Sequence, residues 1–211
     1  MSLTRRRFLT AGSLVLAGLT ASACTPAPRS EPLQTSIALP RTPRLVLRVE
    51  ALEIREDWQS PRSGANVEYL MPVSPVTALK RWSAERLGVT GERGAIARLI
   101  VLDGAVTEKP LSTQSGFSGL FRTEPSERYD GTLDALLEIV DTETHVVAAQ
   151  ASARVTAFRS LSEKASLDDR DGVWMDLVSA MITDFDKAFE SAAHTWLERY
   201  LVSPGGAGSR R

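Results

Sequence analysis

The chain has a single cysteine, Cys24, and only two histidines, His145 and His194. One cysteine excludes an internal disulfide in any compartment, and with it every zinc site built from paired thiolates. Basic charge is not in excess: 25 Lys and Arg stand against 26 Asp and Glu. Removing residues 1–23, which hold three arginines and no acid, moves the net charge from −1 to −4. A nucleic-acid binder needs a basic face to neutralise phosphates, so that class drops out. The most apolar stretch, Phe8 to Ala23, falls short of the roughly 20 residues that span a bilayer. Neither Gly91–Gly94 nor Gly116–Gly119 has the spacing of a phosphate loop. His145 stands at a predicted turn and His194 on the solvent side of a predicted helix. The acids Asp168, Asp169 and Asp171 suit a helix N-terminus better than a calcium site. The expectation is therefore no enzyme: no catalytic residue, no metal and no cofactor.

What is present begins with an address. Residues 1–23 have a basic start, an apolar middle and small residues at the end, the layout of a cleaved export signal. Thr4-Arg5-Arg6-Arg7-Phe8-Leu9-Thr10 resembles the twin-arginine pattern in Arg5, Arg6, Phe8 and Leu9, with Thr10 where Lys is usual. An ordinary Sec signal with an extra arginine remains the alternative. Ala21-Ser22-Ala23-Cys24 resembles the lipobox of bacterial lipoproteins, with Ala21 where Leu is usual, which implies lipidation of Cys24. The same small residues also form an A-x-A site that would release a soluble periplasmic protein. Thr25, where an Asp would imply inner-membrane retention, implies the outer membrane. Residues 24–43 hold Pro26, Pro28, Pro32, Pro40 and Pro43 and form a tether, reaching up to about 60 Å if extended.

Residues 44–202 are expected to form one domain, and 203–211 a disordered tail. Arg44–Trp58 alternates like a strand with a phase switch near Ala51-Leu52. Residues 59–73 are a loop with a short extended piece at Val67–Leu70. Ser74 with Pro75 opens a short helix whose apolar side is Val76, Leu79, Trp82 and Leu87, with Arg86 among the mostly solvated residues. Ala95–Lys109 is a second strand with a bulge near Asp103-Gly104. Tyr129–Ile139 and Val147–Ala157 form a hairpin, the second strand carrying a file of Ala and Val on one face.

Ser166–Val202 is the longest amphipathic stretch. Its stripe runs through Trp174, Val178, Met181, Phe185, Phe189, Ala192, Trp196 and Tyr200, widened by Leu177 and Ile182. Asp186 is assigned to the opposite, solvated side. The order β-α-β-β-β-α gives an α+β two-layer sandwich, a four-stranded, mostly antiparallel sheet covered by a short and a long helix. The large stripe is expected to pack on the Ala-rich strand. Two apolar sets pose a question of exposure: Phe117, Leu120 and Phe121 in a polar segment, and Trp196 with Tyr200 at the far end of the last helix. They are the candidate partner contacts.

The lipobox, the proline-rich tether and this small domain, with Tyr69-Leu70 ahead of Trp82, together resemble the ABC-type transport auxiliary lipoproteins. The layout is also similar to that of the lipopolysaccharide-assembly lipoprotein. The resemblance implies a non-catalytic accessory or scaffold, lipid-anchored on the periplasmic side and working with an envelope protein complex. It carries over no site residue. A lipid-binding module with an apolar cavity between helix and sheet is the alternative.

Overall fold

The computed structural model describes residues 37–111 and 125–203, all within one compact unit. The α+β architecture is as expected, and its spine is β6 (Pro125–Asp141). β7 (Val147–Ser162) pairs antiparallel along one whole edge of β6. The other edge is shared end to end: β4 (Ala95–Asp103) pairs with its second half, and β5 (Val106–Pro110) with its first. β2 (Leu52–Glu56) extends the sheet beyond β4 in parallel, as a helical crossover requires.

The sheet thus has five strands instead of four, because the expected strand Ala95–Lys109 breaks at Gly104. A Cβ there would lie 2.5 Å from Val76 Cγ2 and 3.5 Å from the Trp58 ring. The first expected strand also divides. β1 (Leu45–Leu47) pairs in parallel with β3 (Leu87–Val89), and the chain crosses to β4 only from Glu50 onward. The piece at 67–70 is not extended: Glu68–Leu70 is a 3-10 turn.

Two helices complete the fold. α1 (Pro75–Arg86) starts at Ser74, whose hydroxyl accepts the Thr77 N–H. α2 (Leu167–Trp196) starts at Ser166 in a full capping box with Asp169. The Asp169 carboxyl sits below the ordinary value because the Ser166 N–H and hydroxyl both donate to it. The helix runs through Gly172 without interruption.

One face of β6 is wholly buried: Tyr129, Leu133, Ala135, Leu137 and Ile139, with Gly131 among them. Against it and the buried Ala151 and Ala153 of β7 lie Leu177, Met181 and Phe185 of α2. The contact is close, since a Cβ on Gly131 would stand 2.5 Å from Met181 Sδ. Large helix residues over small sheet residues fill the layer as expected. α1 lies beside α2, with the Trp82 ring edge-on to Phe185 and Phe189 at 5.0 and 5.2 Å.

The stripe ends differently from the periodic expectation. Ala193 and Leu197 are buried, whereas Trp196 is turned out. The helix tightens into a 3-10 turn at Glu198–Tyr200, and Leu201 pairs with Leu47. Hydrogen bonds from Arg48 N to Tyr200 O (2.7 Å) and from Val202 N to Val46 O (2.8 Å) fasten this end to β1.

Candidate functional site

Of the residues singled out by sequence, the structure places two. Trp196 is 67% exposed. Tyr200 is half-buried, its ring under the Arg199 guanidinium at 4.7 Å and its hydroxyl accepting from Arg199 Nη2 at 2.6 Å. They are not one apolar patch, because Leu197 and Leu201 between and beyond them turn inward. Cys24, Arg5, Arg6, Phe8 and Leu9 lie outside the described residues, as do Phe117, Leu120 and Phe121.

The structure instead brings together two buried carboxylates that periodicity assigned to solvent or to a loop. The first is Asp186, 2% exposed in the middle of the α2 stripe. Its Oδ1 accepts from Trp82 Nε1 at 2.8 Å and from Arg86 Nε at 2.7 Å, and its Oδ2 from the Thr42 hydroxyl at 3.0 Å. Arg86, expected to be solvated, is 3% exposed. Its Nη2 lies 3.0 Å from Glu190 Oε2, close enough for charge attraction but without hydrogen-bond alignment. The signal was present in spacing: Arg86 follows Trp82 by four residues, and Asp186 follows Ile182 by four. Their phase on the apolar arcs of the two helices marks each for burial, though not for each other.

This pair also takes hold of the chain ahead of β1. Thr42 bonds to Asp186, Ile37 is buried and Leu39 packs on the same core. Residues 37–42, with Trp82, Glu85 and Arg86, line a half-open pocket of about 400 Å³.

The second carboxylate is Glu68, 1% exposed. Oε2 accepts the Val106 N–H at 3.0 Å and Asn66 Nδ2 at 3.2 Å, and the Ser60 hydroxyl donates to Oε1. These bonds staple loop 59–68 onto the start of β5. The loop and the first turn of α1 border a cleft of about 480 Å³ carrying Trp58, Tyr69, Arg62 and a Glu56–Lys80 ion pair.

A third polar group closes the end of the sheet. The Tyr129 hydroxyl donates to Glu127 Oε2 at 2.5 Å, and Arg170 Nη2 reaches both Glu127 oxygens at 3.0 and 3.1 Å. Burial, and then the bond to Glu127, push the Tyr129 hydroxyl well above its ordinary range. The Trp174 ring stands edge-on to Tyr129 at 5.6 Å.

Chemically these groups are holders. Both Asp186 oxygens and both Glu68 oxygens already accept hydrogen bonds, and each set of donors comes from elements that must be kept together. His145 and His194 are exposed; His194 Nε2 is 4.0 Å from Glu190. Among the described residues, no group of three or more His, Cys, Asp or Glu is placed to hold a metal, and no helix is long and apolar enough to cross a membrane.

No family model matches the chain, and no curated protein matches it. Solved structures with a similar course of chain do exist. The minor lipoprotein of Acinetobacter baumannii covers 75% of this chain and 99% of its own length, at 12% identity and a TM-score of 0.39. The rare lipoprotein B of Shewanella oneidensis covers 69% and 95%, at 13% identity and a TM-score of 0.34. The uncharacterized lipoprotein B of Nitrosomonas europaea covers 75% and 93%, at 12% identity and a TM-score of 0.37. All three are bacterial lipoproteins by description, and at these identities and TM-scores the likeness carries no function across to this chain.

Proposed function

We propose that this protein is a lipid-anchored component of the periplasmic side of the cell envelope, acting as a non-catalytic accessory or scaffold of a transport or assembly complex. The observation that carries the reading is the chain's single cysteine, Cys24, placed directly after Ala21-Ser22-Ala23 at the end of an export signal. Two or three acyl chains on it would anchor the protein durably, at about 0.8 kcal/mol per buried methylene. Thr25 favours the outer membrane, and Arg5, Arg6, Phe8 and Leu9 favour export in the folded state.

The domain's interior supports an accessory over a lipid carrier. A carrier needs an apolar lumen between helix and sheet. Here Leu177, Met181 and Phe185 of α2 and Leu133, Leu137 and Ile139 of β6 all have no exposed surface. The cavities described above border other elements.

Metabolic labelling with a fatty acid tests the anchor. The wild-type protein takes the label and Cys24→Ala does not; equal labelling of the two defeats the anchor. Crosslinking in intact cells followed by sizing tests the accessory role, which predicts a defined envelope complex. A protein that remains alone defeats it.

A further inference from the structure

The polypeptide ahead of β1 is held to the domain by side chains alone. Residues 37–43 belong to no helix or strand, and among the described residues none of their backbone groups bonds to another backbone group. Pro40 and Pro43 have no N–H to offer. The segment docks through Ile37, 9% exposed, through Leu39 packed on the same core, and through the Thr42 hydroxyl, which donates to Asp186. At Arg44 the character of the attachment changes. Its Nη2 donates to the Ala84 and Leu87 carbonyls at 2.7 and 2.8 Å, satisfying the C-terminal end of α1. The next residue, Leu45, opens β1 and its ladder to β3. Firm attachment therefore begins at Arg44, and residues 37–43 form a strap.

Packing beneath the strap is incomplete. The half-open pocket is lined by residues 37–42 on one side and by Trp82, Glu85 and Arg86 on the other. The buried Arg86 Nη1 has no hydrogen-bond partner among the described residues, a cost that lifting the strap relieves by admitting water. Two apolar side chains and one hydrogen bond stand against the conformational entropy of the whole strap. These opposing contributions are of similar size, so docking of the strap is a local equilibrium, separate from folding of the domain.

Resting on the lipid-anchor reading above, we infer that residues 37–43 are a releasable strap that gives the anchor two lengths. Docked, the chain leaves the domain at Ile37. Released, it leaves at Arg44, and the domain gains up to about 20 Å of reach from the bilayer at about 3.1 Å per residue. A complex that holds the domain farther from the anchor selects the released form.

Paired spin labels test this on the full-length chain carrying Cys24→Ser, which removes its one native thiol. The labels sit on Ala38→Cys in the strap and Ser191→Cys on α2, both exposed positions. Distances between them should show one sharp docked value and a second, broad population on the order of 10%. Leu39→Asp should make the broad population the majority while circular dichroism remains that of the folded domain. Four results overturn the inference. A sharp distance alone makes the strap a fixed part of the domain, and a broad one alone means that it does not dock. An unchanged distribution in Leu39→Asp means that these contacts do not hold it. Unfolding of the domain by Leu39→Asp means that strap and domain part together. Cys24 is replaced throughout, so a failure here leaves the fatty-acid result standing.

Discussion

Asp186 and Glu68 are equally hidden, yet they are neutralised in different ways. Asp186 meets a charge, Arg86, together with the Trp82 indole and the Thr42 hydroxyl. Glu68 meets only neutral donors from Ser60, Asn66 and Val106. The partners of Asp186 come from α1 and from the chain before β1, so it ties distant parts to α2. Those of Glu68 come from one loop and the strand that loop covers. Losing one member of a buried ion pair strands the other without water, whereas half-buried hydroxyl and amide donors can turn back to solvent. The first site should therefore govern global stability and the second the shape of a loop.

The largest effect is expected at the ion pair. Asp186→Ala should destabilise the domain by about 3 kcal/mol, because it leaves the buried Arg86 with only the partly exposed Glu190 beside it and strands the Trp82 N–H. The double variant Asp186→Leu/Arg86→Met should recover most of that loss, since a buried pair replaced by apolar groups is often neutral. Urea unfolding with an unchanged slope measures both. A loss below about 1 kcal/mol for the single variant would mean that Arg86 finds water, and the contrast with Glu68 would collapse.

Why this pair was missed shows how much the sequence made legible. The capping box at Ser166, the Ser74-Pro75 start of α1, the hairpin and the Ala file of β7 all follow from local chemistry and period, and the structure has them. Asp186 and Arg86 sit at apolar phase on their helices, although their residue types favour water. The partner that makes burial tolerable lies 100 residues away, and no local pattern reports it. The full break at Gly104, in place of a bulge, and the burial of Leu197 beside the exposed Trp196 escape local pattern for a similar reason. Each depends on a tertiary neighbour, Val76 for the one and β1 for the other. That loop 65–67 covers the outer edge of β5, while β7 pairs only with β6 among the described residues, is a fact of topology, and a strand's own sequence does not say which neighbours it has.

At the second carboxylate the expected loss is smaller. Glu68→Gln keeps an acceptor for Val106 N–H and should cost about 1–2 kcal/mol. Its mark should be local: faster amide exchange at Val106 and across residues 60–68, with little change elsewhere. Uniform loosening of the whole domain would place Glu68 in the same class as Asp186.

Thr42→Ala separates the two roles within the Asp186 site. It removes one neutral donor and leaves the ion pair intact, so it should cost about 1 kcal/mol. Exchange should rise in residues 37–43 while α1 and α2 keep their protection. If instead the helices loosen together, the segment before β1 is holding them, and Asp186 works through Thr42 as much as through Arg86.

The smallest effect comes from surface carboxylates that use neutral donors as Glu68 does, but in full contact with water. Asp169 is lowered mainly by the Ser166 backbone N–H, and Asp141 mainly by the Thr144 backbone N–H. A carboxyl whose folded pKa lies below its unfolded value of about 3.9 binds fewer protons in the folded state through the interval between them. Its contribution is complete above that value and is lost as pH falls through the lowered folded one. The domain should thus keep its stability down to about pH 4 and lose it steadily below. Asp169→Asn and Asp141→Asn should each flatten that acid slope and give up, near neutrality, the small stabilisation that the slope represents. Burial, and not the kind of donor, would then separate Glu68 from these two. An unchanged slope in both variants would assign the acid loss to Asp130 instead, whose carboxyl is held below the ordinary value by Lys109 and Arg128.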